Sequence, residues 1–155
     1  MVTKVNTMRS QHPALFLSKK ERKKIILAIR EAEKETSAEI RVHLAKGNGK
    51  EVLDHAKEIF EKIGMTKTKH RNSILIFLSV KSKRFAVLGD RAIHEKVPQD
   101  FWEKVIQKMN HYFKEGRFGE GIIEAVRMVS KELKIHFPRQ ADDTNELSDQ
   151  ISYSH

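Results

Sequence analysis

The sequence contains no cysteine, so it offers neither a disulfide framework nor a thiolate metal site, and nothing in it calls for an oxidising compartment. Any metal would have to be held by oxygen or imidazole ligands. Only three prolines and seven glycines occur, which excludes collagen-like and low-complexity architectures. No stretch approaches the roughly 18 consecutive apolar residues of a membrane span, and residues 1–13 have no apolar segment of the kind a secretion signal carries. The expected location is therefore cytoplasmic. Catalytic signatures are also missing: there is no phosphate loop, nucleophile elbow, HExxH or EF-hand loop.

What is present is an ordinary folding composition. Hydrophobic residues make up 39% and charged residues 33% of 155 positions, enough apolar material for one core and too little chain for two ordinary domains. The formal net charge is +9, which favours anionic partners. The excess is uneven, because the last seventeen residues hold four acids (Asp142, Asp143, Glu146, Asp149) against Arg139. The expected organisation is a flexible N-terminus over residues 1–17, one domain over 18–138 and an acidic C-terminal tail over 139–155, able to fold back on a basic body.

Local patterns give the order of elements. Ser18 and Glu21 have capping-box spacing, and Ile25, Ile26, Ile29 and Ala32 follow at helical intervals, predicting a helix over 19–35. Residues 39–44 alternate apolar and polar side chains, the period of a half-buried strand, before Gly47-Asn48-Gly49 breaks the chain. A second helix is expected over 50–63, closed by Gly64. Residues 74–80 are apolar on both faces, as in a central strand, and the short polar link Lys81-Ser82-Lys83 leads to a third, antiparallel strand over 84–88. Two helices complete the domain: one opening at Pro98 and closed by Gly116, the other over 120–135 and stopped at Phe137-Pro138. The result is a three-layer α/β/α sandwich with a mixed central sheet. A right-handed crossover makes the first two strands parallel, which places Glu39, Arg71, Asn72 and Asp90 at one edge of the sheet.

That edge supplies the candidate site. Asp90, Glu39 and Asn72 offer the hard oxygen donors that calcium or magnesium prefers, although Gly89-Asp90 also suits a plain turn and Glu39 an ion pair. The glycines of residues 116–121 resemble a phosphate cradle but lack a preceding strand, so a turn and helix cap explains them better. Phe101, Trp102, Tyr112 and Phe113 recur at helical spacing and read as core. The eight histidines show no paired ligand spacing, and most read as surface or capping groups. Basic clusters at 19–24 and 67–71 have no interleaved aromatics, which makes nucleic acid an unfavoured partner and solvated faces the simpler reading.

Four stretches carry a resemblance: Ser37-Ala38-Glu39-Ile40-Arg41-Val42, Arg71-Asn72-Ser73-Ile74-Leu75-Ile76-Phe77, Arg84-Phe85-Ala86-Val87-Leu88-Gly89-Asp90, and the Phe113, Gly116, Phe118, Gly121 closing pattern. Together they resemble the TPM domain, over about residues 37–138. The ending Phe137-Pro138 and residues 142–149 are similar to a stand-alone bacterial branch of that family. The resemblance implies an α/β/α sandwich. It also implies activities described for other members: acid phosphatase chemistry in several plant proteins, and a divalent cation such as calcium in an acidic loop site. Asn72 and Gly89 match the family pattern and Asp90 fits the stand-alone branch, whereas Arg71 stands where an acid often does and Ser73 where a glycine does. Two functions follow as expectations. One is a divalent-cation-binding interaction module, monomeric, that engages another protein through its basic face or its tail. The other is a metal-dependent hydrolase of phosphomonoesters, in which Asp90 and Glu39 hold the metal and Arg71 or Arg91 neutralises the phosphate.

Overall fold

A computed structural model describes residues 9–140 and 151–154. Its elements, in chain order, are α1 (Pro13–Phe16), α2 (Lys19–Glu33), β1 (Glu39–Ala45), α3 (Val52–Lys62), a 3-10 turn at Met65–Lys67, β2 (Ser73–Ser79), β3 (Arg84–Gly89), α4 (Arg91–Lys96), α5 (Gln99–Lys114), α6 (Phe118–His136) and β4 (Ser152–Ser154). The strands form one sheet in the order β3-β2-β1-β4, in which β1 runs parallel to β2 and β4, and β3 antiparallel to β2.

The alternation of each strand sorts its side chains between two layers. Ile40, Val42 and Leu44 of β1 and Ile74, Ile76 and Leu78 of β2 face a large core built with α2, α5 and α6. The opposite face is covered by α3, whose Ala56, Ile59 and Phe60 pack on Leu75, Phe77 and Ala86. Because both faces of β2 are covered, every one of its residues is buried, which explains its unbroken apolar run. Among the described residues no helix is long and apolar enough to cross a membrane.

α2 starts as its sequence demands. The Ser18 side chain accepts from the Glu21 amide while Glu21 accepts from the Ser18 amide, a complete capping box. Arg9 then clamps the Glu21 carboxylate from both guanidinium nitrogens at 2.8 Å. The leader expected to be flexible is thus structured over its second half. Phe16 and Leu17 are buried because they close the end of the main core, where Phe16 meets Phe118 edge-on. Residues 1–8 lie outside the described residues.

Besides α1 and the 3-10 turn, two short elements were not expected from the sequence. α4 fills what reads as a loop before Pro98, and β4 comes from the end of the tail, adding a parallel strand beside His43–Ala45. The tail acids Asp142, Asp143, Glu146 and Asp149 lie outside the described residues. Two histidines lie in the interior. His43 on β1 and His55 on α3 are 2% and 4% exposed, and both rings pack on Phe77. Their burial follows from facing the sheet layer, which no spacing of histidines in the sequence reveals.

The glycines of residues 116–121 serve close packing. Gly116 has a left-handed φ of 75° that ends α5, and the bare Cα of Gly121 lets Phe113 lie against α6. A Cβ on Gly121 would stand 2.8 Å from the Phe113 ring. Gly121→Ala is therefore expected to destabilise the fold by about 1–3 kcal/mol, more than alanine's gain in helix propensity returns. Urea unfolding checks it, and an unchanged midpoint would show that the ring moves freely.

Candidate functional site

The opening edge of the sheet assembles as the topology predicts. Glu39 pairs with Ser73, and Ile74 with Gly89, so the starts of β1 and β2 and the end of β3 meet. The backbone stitches them further: the Asp90 amide donates to the Ser73 carbonyl at 2.9 Å and the Ala92 amide to the Arg71 carbonyl at 3.1 Å. Gly89 is required for this approach, since a Cβ there would lie 2.6 Å from Ile93 of α4.

Asp90 sits at the centre, 5% exposed. It is the N-cap of α4, with Oδ1 accepting from the Arg91 amide at 2.8 Å. Arg71 grips the same carboxylate in two places, Nε to Oδ2 at 2.6 Å and Nη2 to Oδ1 at 2.8 Å. This is the fork geometry that makes arginine–carboxylate pairs strong and directional. Arg71 reaches it from a left-handed backbone with φ 52°, an uncommon state for a side chain with a Cβ. The hydrogen bond to Asp90 holds the guanidinium more firmly in its charged form.

The remaining predicted residues share the edge without sharing a void. Asn72 is 1% exposed, and its side-chain amide donates to the Ser37 hydroxyl at 3.3 Å. Glu39 is buried on the α3 side of β1, the same side as Arg41, whose pKa burial lowers against the opposing charges of Glu33 and Glu39. Glu33 in turn accepts from the Ile40 amide at 2.9 Å. Arg91 is exposed in the first turn of α4 and contributes its backbone amide to Asp90.

For a cation the fit is poor as the side chains stand. Both Asp90 oxygens are engaged by Arg71, so a metal would have to displace a guanidinium that brings its own charge. Among the described residues no group of three or more His, Asp or Glu side chains is arranged to hold a metal ion. The strand ends that carry Glu39, Arg71, Asn72 and Asp90 do meet at one edge, while the Arg71–Asp90 ion pair was not expected. The one signal available for it was an arginine where the related pattern often has an acid.

The TPM domain family matches residues 11–132. The NMR structure of the BA42 protein from the psychrophilic bacterium Bizionia argentinensis is 39% identical, covers 89% of this chain and 95% of its own, and superposes with a TM-score of 0.84. The N-terminal domain of a protein from P. gingivalis shares the fold at 20% identity, with 78% of each chain covered and a TM-score of 0.65. None of the curated proteins matches the chain.

Proposed function

Given that this chain belongs to the TPM domain family, we propose that it works as an interaction module and not as a hydrolase, with the Arg71–Asp90 edge acting as a structural lock. The observation that carries this reading is the saturation of the buried Asp90 carboxylate by Arg71 and the start of α4. A hydrolytic centre needs a carboxylate free to hold a metal or to take a proton from water, in a place that water and substrate reach. The burial of Asp90, 5% exposed, and of Asn72, 1% exposed, supports a structural role over that one. The basic body, with a formal charge of +9 over the whole chain, favours an acidic protein surface as partner.

Divalent cations belong to this reading as competitors. Calcium or magnesium reaches Asp90 only in exchange for Arg71, so Arg71→Gln should tighten cation binding at this edge by at least about tenfold. Calorimetric titration of the wild type, Arg71→Gln and Asp90→Ala, with a phosphomonoester assay on the same samples, tests both parts. Equal cation affinity in the wild type and Arg71→Gln would remove the competition. Metal-dependent turnover that disappears in Asp90→Ala would replace the module reading with a phosphatase.

A further inference from the structure

The opposite edge of the sheet holds a cavity that plays no part in the Arg71–Asp90 lock. It lies just beyond the carboxyl ends of β1 and β2, the place where open α/β sheets bind ligands. Its volume is about 630 Å3, and its wall includes Gly47-Asn48-Gly49, which joins β1 to α3, and the turn from β2 to β3. Four cations line it: Lys46, Lys50, Lys81 and Arg84. Lys50 is neutralised by Glu58. Lys46, Lys81 and Arg84 form no ion pair with any described residue. One acid, Glu51, also lines the cavity, and its carboxylate is spent on the Leu53 amide as the N-cap of α3.

Two buried polar side chains open onto the same space without partners of their own. Ser79 is 6% exposed and His55 4%, and neither the hydroxyl nor the imidazole has a hydrogen-bond partner among the described residues. Both polar groups face the cavity, where they are able to hydrogen-bond to whatever occupies it. Gly47, at φ 126°, keeps the hydroxyl accessible: a Cβ there would stand 3.1 Å from Ser79 Oγ. Burial holds the His55 imidazole in its neutral form, able to donate from one nitrogen.

We propose that this cavity is a binding site for a small molecule bearing a multiply charged oxyanion, phosphate or dicarboxylate. Lys46, Lys81 and Arg84 supply the charge, while Ser79 and His55 orient the bound oxygens. The proposal is independent of what the Arg71–Asp90 edge does, and the ligand is bound without being cleaved.

The test is an NMR titration of the full chain with inorganic phosphate and, separately, with malonate, each against sodium chloride of equal ionic strength. Saturable shifts are expected in the amides of residues 46–51 and 79–84 and in the His55 ring. Shifts with phosphate alone identify a phosphate group, with malonate alone a dicarboxylate, and with both a general oxyanion site. The Lys81→Gln/Arg84→Gln double variant, whose two positions are exposed, should keep the melting temperature and lose at least about tenfold in affinity. Gly47→Ala should weaken binding by crowding Ser79. Shifts that follow ionic strength alone, or an unchanged affinity in the double variant, would overturn the site.

Discussion

Replacing Asp90 with alanine is expected to lower the unfolding free energy by about 2 kcal/mol and the melting temperature by about 6 °C. The variant removes the N-cap of α4 and leaves Arg71 without the carboxylate that justifies its left-handed backbone. Arg71 retains partial contact with water, its side chain being 31% exposed, so the loss stays below that of a fully buried ion pair. Asp90→Asn should recover the cap but not the charge, and fall between the two. The measurement is thermal and urea unfolding of the three proteins. If Asp90→Ala melts with the wild type, the carboxylate has no structural task, and a role in ligand binding becomes the better explanation of its burial.

Acid should weaken the protein through His43. This side chain lies between the hydroxyls of Ser152 and Ser154, at 2.6 Å from Nδ1 and 2.8 Å from Nε2, and stacks on Phe77. Burial lowers its pKa from 6.5 to about 4, with further contributions from Arg41, His55 and Lys62. The unfolded chain therefore binds a proton at His43 more readily than the folded one. Its contribution to stability is complete above pH 6.5, falls as the pH drops through 6.5 towards 4, and is gone below 4. The shift corresponds to about 3 kcal/mol. His55, also lowered by burial, adds a dependence of the same sign. Urea midpoints measured between pH 7 and pH 4 should decline steeply in the wild type and more gently in His43→Gln. Since both hydroxyls belong to β4, amide signals of Ser152–Ser154 should be among the first to lose exchange protection. Parallel pH profiles in the two proteins would show that His43 titrates no differently when folded.

The candidate edge shows where sequence reasoning reached and where it stopped. Glu39, Arg71, Asn72 and Asp90 could be brought together on paper because a crossover of known hand and a tight hairpin determine which strand ends meet. What each side chain does there depended on contacts between residues nineteen positions apart, Arg71 and Asp90, and on a backbone angle at Arg71 that no pattern announces. An acid at the end of a strand reads the same whether it waits for a metal or is already held by an arginine.

By itself the sequence determined the elements whose signals are local. The Ser18–Glu21 capping box, the alternation of residues 39–44, the apolar run that became β2 and the helix stop at Phe137-Pro138 all act within a few residues, through hydrogen bonds and side-chain periodicity. Only the tertiary structure decided the rest. β4 is three residues long, too short for any period, and forms because β1 offers it an edge and His43 two hydrogen bonds. His43 is buried because α3 covers its face of the sheet, His55 because it lies on the side of α3 that packs there, and the Lys46–Arg84 cavity exists because two loops distant in sequence end at the same strand tips. In each case the deciding energy comes from desolvation and contact between distant segments, which become physical facts only when the sheet closes.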